Sequence, residues 1–159
     1  MQQGICLLRE EKFKDSINKF DNVLKLEDNN AKAHIAKGQA LFGDNQVNES
    51  IEEYDKALGI EPENKNALIS KENSLMKNNQ KDEALELYKK GNEIDDGKDN
   101  WIYLMNYVLC LFDKNELSDA WTILDKAERC YNDQKEELSQ KEKQFFEDNL
   151  DKLKKKRDK

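Results

Sequence analysis

The chain contains few side chains that could carry out chemistry. His34 is the only histidine among 159 residues. It lies at a helix-packing position, so we interpret it as a core residue and keep metal binding or acid–base catalysis as the alternative. The carboxylates occur as Glu-Glu, Asp-Asp and Glu-Pro-Glu runs, which are typical of solvated helix surfaces. We therefore predict that the protein is not an enzyme.

Nucleotide and calcium sites are not predicted either. Neither GxxxxGK[ST] nor GxGxxG occurs in the sequence, so no glycine-rich loop is available to bind phosphate. The run DDGKDN at residues 95–100 resembles a calcium-binding loop only superficially, because it lacks the alternating acidic residues and the late bidentate Glu. We expect no cofactor and no metal.

The composition limits the class of protein. Hydrophobic residues make up 36% and charged residues 38% of the chain, which fits either disorder or an elongated helical repeat with a narrow core. The net charge of −7 is spread along the chain and argues against nucleic-acid binding. No apolar stretch approaches the roughly 20 residues of a membrane span, and Cys6, Cys110 and Cys130 form no CxxC pair. We expect a soluble cytoplasmic protein, with the nucleus or a cilium as alternatives.

A repeat of 34 residues organises the sequence. Like residues recur at this spacing in three consecutive segments, and each segment has a small residue four places before an aromatic ring. The ladder consists of Leu7, Leu41 and Leu75; Ser16, Ser50 and Ala84; Ile17, Ile51 and Leu85; Phe20, Tyr54 and Tyr88; and Leu26, Ile60 and Ile94. Because two antiparallel helices approach closely only where side chains are small, the pattern predicts stacked helix pairs.

The repeat resembles the tetratricopeptide family, whose pattern is W-x2-L-G-x2-Y, then A-x3-F, then P, on two antiparallel helices. The second segment matches best, with His34 in place of Trp, the close-approach Gly38 and the small–aromatic pair Ser50 and Tyr54. In the third segment Glu72 replaces the glycine, so we expect its first helix to pack slightly farther from its partner. The resemblance implies an all-α solenoid of antiparallel helix pairs in a right-handed superhelix.

A divergent fourth unit follows the three regular repeats. Ala120 and Leu124 match its second helix, and this alignment requires two extra residues in the loop at 95–100. The predicted repeat domain is residues 1–134, with units of about 1–30, 31–64, 65–98 and 101–134.

Residues 135–159 are predicted to form a C-terminal capping helix with a basic end. Phe146, Leu150 and Leu153 make an apolar stripe that could close the stack, and charged residues cover the other face. Asp133 with Glu136 is a candidate capping box for its start.

The resemblance also implies which residues face the concave groove, because the first helices of successive repeats line it in this family. The implied groove residues are Ile5, Leu8, Arg9, Lys32, Ile35, Gln39, Phe42, Asn66, Ile69, Asn73, Met76, Lys77, Ile102, Met105, Leu109 and Phe112. The set is mostly apolar, with a few cations and amides, and exposed apolar strips normally mark interaction sites. The alternative is that some members, such as Ile35, Phe42 and Ile69, pack against the neighbouring first helix.

These features predict a non-catalytic scaffold that binds a peptide or an amphipathic helix. A chaperone C-terminal tail is a disfavoured partner, because the positions of the family's carboxylate clamp hold Met1, Ile5, Ala36, Asn66 and Ser70, which lack its cations. The alternative function is a structural subunit of a cytoskeletal or ciliary assembly, or a homodimer, with contacts through the convex face and the final helix.

Overall fold

The computed structural model describes residues 1–94 and 101–157, and the side chains of residues 1–91 and 101–156. Within these ranges the chain forms nine α-helices and a short 3₁₀ turn at Lys135–Glu137. The helices are α1 (Gln2–Arg9), α2 (Phe13–Leu24), α3 (Ala31–Gly43), α4 (Val47–Ile60), α5 (Lys65–Lys77), α6 (Lys81–Ile94), α7 (Trp101–Asp113), α8 (Leu117–Gln134) and α9 (Gln140–Arg157).

The helices belong to two compact units, residues 1–94 and 95–159. In the first unit α1 packs on α2, α3 on α4 and α5 on α6, and each pair also packs on the next through α2 with α3 and α4 with α5. In the second unit α7 packs on α8, and α9 follows. The predicted all-α solenoid of antiparallel helix pairs is confirmed, whereas the domain boundary at residue 135 stays a prediction. We call the first helix of each pair (α1, α3, α5, α7) an A helix and the second (α2, α4, α6, α8) a B helix.

Every A helix ends in the same backbone turn. A residue with positive φ follows the helix, and the next N–H returns to a carbonyl inside it, as from Gln46 to Leu41; this is the Schellman arrangement. The positive-φ residues are Glu11, Asn45, Asn79 and Asn115. Their spacing is 34, 34 and 36 residues, which fits two extra residues between the third and fourth units. The loop at 95–100, where we predicted them, lies outside the described residues.

Two A helices also begin in the same way. The side-chain oxygen of Asn30 accepts a hydrogen bond from the Ala33 N–H at 3.0 Å, and that of Asn64 accepts one from the Ala67 N–H at 3.1 Å. Such caps satisfy a backbone donor that the first turn leaves without a partner, and each contributes about 1 kcal/mol. The two asparagines are 34 residues apart, so the start of the A helix is part of the repeat.

Glycine lets the A and B helices of a pair approach closely. A Cβ placed on Gly4 would lie 2.8 Å from the Phe20 ring, and one placed on Gly38 would lie 2.6 Å from the Tyr54 ring. The Ser16 hydroxyl adds a hydrogen bond of 2.9 Å to the Gly4 carbonyl. In the second repeat the glycine predicted to allow close approach, Gly38, therefore contacts the aromatic ring of the B helix, and Gly4 makes the same contact in the first repeat.

Glu72 holds the same position in the third repeat. Its side chain is 1% exposed, and neither carboxylate oxygen has a hydrogen-bond partner in the part of the chain that the structure describes. Burial raises the pKa of Glu72 to about 9, because a charge is costly away from water. The side chain is therefore a neutral acid at pH 7. The wider helix spacing that we expect here stays a prediction.

An ion pair that recurs at the repeat length joins successive pairs of helices. The Lys37 ammonium lies 2.8 Å from the Asp21 carboxylate, and the Lys71 ammonium lies 2.6 Å from the Asp55 carboxylate. In both cases the lysine belongs to an A helix and the aspartate to the preceding B helix. Partly exposed pairs of this kind contribute about 0.2–1 kcal/mol each.

The start of the final helix differs from the prediction. Asp133 lies inside α8, which continues to Gln134, so the capping box expected from Asp133 to Glu136 is wrong. Ser139 precedes α9 instead, and both its N–H and its hydroxyl donate to the Glu142 carboxylate, at 2.8 and 2.5 Å. The Glu142 N–H donates back to the Ser139 hydroxyl oxygen at 3.4 Å. The contacts form a capping box six residues later than expected, and the bonds from Ser139 lower the pKa of Glu142.

We predict opposite effects for alanine at two glycines. Gly38→Ala should lower the free energy of unfolding by about 1–3 kcal/mol, because the new methyl group overlaps the Tyr54 ring. Gly59→Ala is the control, because a Cβ at this position has no other atom within 4 Å. This substitution should raise the free energy of unfolding by up to about 1 kcal/mol, because alanine has the higher helix propensity. Urea unfolding of both variants measures the difference, and equal effects would contradict the close contact.

We also predict that Glu72 makes stability depend on pH. Its pKa is about 9 in the folded chain and 4.5 ordinarily, so folding binds a proton between these values. Proton binding by Glu72 contributes fully to the free energy of unfolding below about pH 4.5. This contribution is lost as pH rises through about 9, and the free energy of unfolding falls by up to about 1.4 kcal/mol per pH unit. Unfolding of wild type and Glu72→Gln between pH 5.5 and pH 8.5 tests this.

The variant Glu72→Gln keeps the shape but cannot ionise, so its pH slope should be flatter than that of wild type. Glu49→Gln, at an exposed position of α4, is the control and should keep the wild-type slope. A Glu72→Gln slope equal to that of wild type contradicts a neutral, buried Glu72.

Candidate functional site

The A helices of the first unit line a depression on one face. Its volume is about 320 Å³, and it is lined by Ile5, Leu8, Lys32, Ile35, Ala36, Gln39, Asn64 and Asn66. Six of these residues belong to the groove set implied by the sequence, so the structure brings together predicted positions from α1, α3 and α5. Ala36 and Asn64 were missed, although Asn64 could have been found as the N-cap that repeats Asn30.

We call this depression the cup. Apolar side chains form its floor. Ile35 is 8% exposed and packs with Ala31, Tyr54, Ala57 and Ala67 in one core cluster. It therefore contributes mainly to the core, as the alternative interpretation allowed. Ile5 and Leu8 are half-buried and leave apolar surface accessible.

Polar side chains form the rim of the cup. Lys32, Gln39 and Asn66 are exposed, and within the described residues they make no hydrogen bond or ion pair with the protein. Asn64 is different, because its side chain caps α5 and also donates to Glu61. The rim thus presents one ammonium and two amides to solvent next to an apolar floor.

The groove continues toward the C-terminal ends of α3 and α5. The Lys77 ammonium lies 4.4 Å from the centroid of the Phe42 ring, a cation–π contact between neighbouring A helices. Ile69 and Met76 are half-buried and Asn73 is exposed on α5, and Arg9 is exposed at the end of α1.

The four groove residues predicted on α7 lie in the second unit. Trp101 contacts Phe145 and Phe146 of α9, with ring centroids 6.3 and 5.6 Å apart, and Lys156 of α9 lies 5.9 Å from the centre of the Phe112 ring. The last helix therefore packs along this side of α7. Phe112 also contacts the Trp121 ring, with centroids 4.9 Å apart.

The placement of Met105 on an open groove is wrong. Met105 is fully buried and lies on the stripe of α7 that begins at Trp101 and ends at Phe112, both of which contact α9. Leu109 is half-buried and Ile102 is 40% exposed. The candidate site therefore consists of the cup and groove of the first unit.

His34 is buried in a polar cluster behind the groove. Its Nδ1 lies 2.6 Å from the Glu53 carboxylate and its Nε2 lies 3.0 Å from the Asp28 carbonyl. Burial opposes the charge of Glu53, but hydrogen bonds from Lys56, His34 and Lys37 outweigh it and lower the pKa of Glu53. Because both ring nitrogens bind protein groups, His34 has no free nitrogen for a metal or a substrate. Its predicted core position is confirmed.

Metal binding and membrane insertion find no support in the described residues. They contain no group of three His, Cys, Asp or Glu side chains placed to hold a metal ion. Within the same ranges, no helix has the length and hydrophobicity that a membrane-spanning segment requires.

Comparison with known proteins identifies similar folds. The crystal structure of MamA superposes with a TM-score of 0.77 at 18% identity, over 86% of this chain and 78% of that one. A MamA fragment from Desulfovibrio magneticus RS-1 gives 0.73 at 20% identity, over 84% and 74%. YrrB, described as a TPR protein with an unusual peptide-binding site, gives 0.72 at 18% identity, over 80% of this chain and 64% of that one. None of the curated proteins matches the chain.

At these identities the structures show the fold alone. The family model for the tetratricopeptide repeat matches residues 1–65. The 34-residue ladder, the glycine–aromatic contact inside helix pairs and the recurring helix ends extend the same pattern beyond that segment. The chain therefore has the fold of tetratricopeptide repeat proteins, and its residues 1–65 match the model of that family.

Proposed function

We propose that the protein is a non-catalytic scaffold that binds a peptide or an amphipathic helix along the A helices of its first unit. The observation that carries this proposal is the cup, in which half-buried Ile5 and Leu8 adjoin three exposed polar side chains that have no polar partner among the described residues, namely Lys32, Gln39 and Asn66. Apolar side chains gain by leaving water, and the amides and the ammonium are available to a ligand backbone or side chain. Such a mixture is typical of grooves that hold polypeptide segments.

The size of the cup favours a side chain of a partner protein over a free cofactor. Its volume of about 320 Å³ is at the lower end of the range for small-molecule sites. No buried polar group of the described residues lines it. One or two apolar side chains of a peptide would fill the floor, and the groove toward Phe42 and Lys77 would take the next part of the segment.

A structural likeness supports the same class of ligand. YrrB is described as having a peptide-binding site, and it shares the fold of this chain at low identity. The likeness concerns the fold alone, so the choice of ligand for this chain rests on its own groove residues.

The alternative is a structural subunit or homodimer that uses the convex face and the final helix. Its sequence support is the stripe of Phe145, Phe146, Leu150 and Leu153 on the final helix. Phe146 and Leu153 are buried within the chain, and Leu150 is half-buried. Phe145, which is 41% exposed, and the half-buried Leu150 are the apolar residues of α9 that leave surface accessible. Two such side chains are a small contact for a stable dimer, so we favour the groove.

We predict that peptide binding requires apolar residues of the groove. Peptides selected from a random displayed library on the full chain should bind the double variant Leu8→Gln and Ile69→Gln at least about tenfold more weakly, because each lost apolar anchor contributes more than 1 kcal/mol. Fluorescence anisotropy with synthetic copies of the selected peptides measures this loss.

The matched control is Leu26→Gln with Ile60→Gln. Leu26 follows α2 and is 87% exposed, and Ile60 ends α4 and is 36% exposed. Neither residue lines the cup, so the control removes at least as much exposed apolar surface without changing the cup. Its affinity should equal that of wild type. Equal binding by the groove variant, with its circular dichroism unchanged, contradicts the proposed function.

We predict that the chain sediments as a monomer across a wide concentration range, and that Phe145→Glu leaves its sedimentation coefficient unchanged. The reason is that most of the apolar stripe of α9 is already buried inside the chain. A concentration-dependent dimer that Phe145→Glu disperses would favour the alternative.

A further inference from the structure

Charge is segregated between the A and B helices of the first unit. The three A helices α1, α3 and α5 carry six Lys or Arg residues and one carboxylate, Glu72. The three B helices carry ten Asp or Glu residues and six lysines. In a chain with a net charge of −7, the A helices are thus a positively charged layer.

The single carboxylate of this layer does not offset the positive charge. Glu72 is buried and has no hydrogen-bond partner among the described residues, and its buried acid is neutral at pH 7. None of the exposed residues of α1, α3 and α5 is acidic. A ligand in the groove therefore meets cations and amides, and no carboxylate from the A helices.

Five of the six cations of this layer, all except Lys65, divide into two sets. Lys37 and Lys71 are held by Asp21 and Asp55 of the B helices. Arg9 and Lys32 are exposed and make no ion pair within the described residues, and Lys77 rests over the Phe42 ring rather than on a carboxylate. The cations without a carboxylate partner are those on the groove side.

These cations lie on both sides of the apolar floor. Lys32 is one turn before Ile35 on α3, and Phe42, which carries Lys77, is ten residues after Lys32. At about 1.5 Å of rise per residue, Lys32 and the Phe42 ring that Lys77 covers start from backbone positions about 15 Å apart along the axis of α3. Arg9 follows the cup residue Leu8 on α1. A ligand that fills the cup would place its flanking residues against these charges.

We propose that the partner of the groove is an acidic segment in which Asp or Glu side chains flank an apolar anchor residue. The anchor enters the cup, and the flanking carboxylates pair with Lys32 on one side and with Lys77 or Arg9 on the other. This inference rests on the proposed function. It concerns side-chain carboxylates inside a segment and does not need a free chain terminus.

A displayed library tests the proposal on the full chain. The random peptides are held between constant flanking segments, so that none has a free C-terminal carboxylate. The selected peptides are expected to carry Asp or Glu on both sides of an apolar residue, and synthetic copies with Gln in place of Glu should bind about tenfold more weakly. Binding of the acidic copies should also weaken as salt is raised, because salt screens exposed charges.

Charge reversal in the protein provides the second arm. The double variant Arg9→Glu and Lys32→Glu should lower the affinity of the acidic peptides about tenfold. The control variant Lys14→Glu with Lys19→Glu makes the same change of charge at exposed positions of α2 and should leave the affinity unchanged.

Each result decides one of the two proposals. One outcome is that the selected peptides bind the Leu8→Gln and Ile69→Gln variant more weakly but contain no acidic residues, or bind the Arg9→Glu and Lys32→Glu variant as tightly as wild type. This outcome would overturn the present inference and leave groove binding in place. An absence of any selected peptide that depends on Leu8 and Ile69 would overturn both. Equal losses in the Arg9–Lys32 variant and the Lys14–Lys19 control would indicate an effect of net charge and would overturn the assignment to the groove.

Discussion

The contact of a glycine with an aromatic ring determines how closely the helices of a pair can approach. In the first two repeats the rings of Phe20 and Tyr54 occupy the space that a Cβ on Gly4 or Gly38 would need. The side of the A helix that faces its B helix is therefore used for packing, and it carries small residues. The opposite side is free to carry Leu8, Lys32 and the other residues of the cup, so the groove depends on this close contact.

Glu72 shows the effect of a larger, ionisable residue in place of the glycine. A carboxyl group in this position is enclosed, and burying it as an ion without a partner would cost far more than keeping its proton. The neutral form still leaves both oxygens without a hydrogen bond among the described residues, and such a lack costs about 1–3 kcal/mol for a buried polar group. The third repeat therefore gives up stability, while the A-helix layer stays free of negative charge at neutral pH.

The repeat pattern predicted the fold and much of the cup, because each residue of a repeat has the same surroundings as its counterpart 34 residues away. Periodicity could not predict the full burial of Met105, because its counterpart Ile69 on α5 is only half-buried, while Met105 lies on the stripe of α7 whose ends, Trp101 and Phe112, contact α9. The repeat pattern also could not predict the residue at which α9 begins. Asp133 and Glu136 have the right spacing for a capping box, but α8 continues through Asp133, and Ser139 with Glu142 caps the next helix instead. Tertiary packing, which a single repeat does not encode, decides both cases.

The repeat length also determines which cations are available to a ligand. Lys37 and Lys71 occupy equivalent positions and reach the preceding B helix, where Asp21 and Asp55 are equivalent in turn. Lys32 and Asn66 share a different position, at the start of the A helix, and Arg9 shares its position with Lys77 at the end. The position of Lys37 and Lys71 contributes to the stacking of repeats. The position of Lys32 and the position of Arg9 contribute little to this stacking. Substitutions at the start and end of the A helices can therefore change the charge of the groove at small cost in stability, whereas the ion pairs between repeats limit change at the position of Lys37.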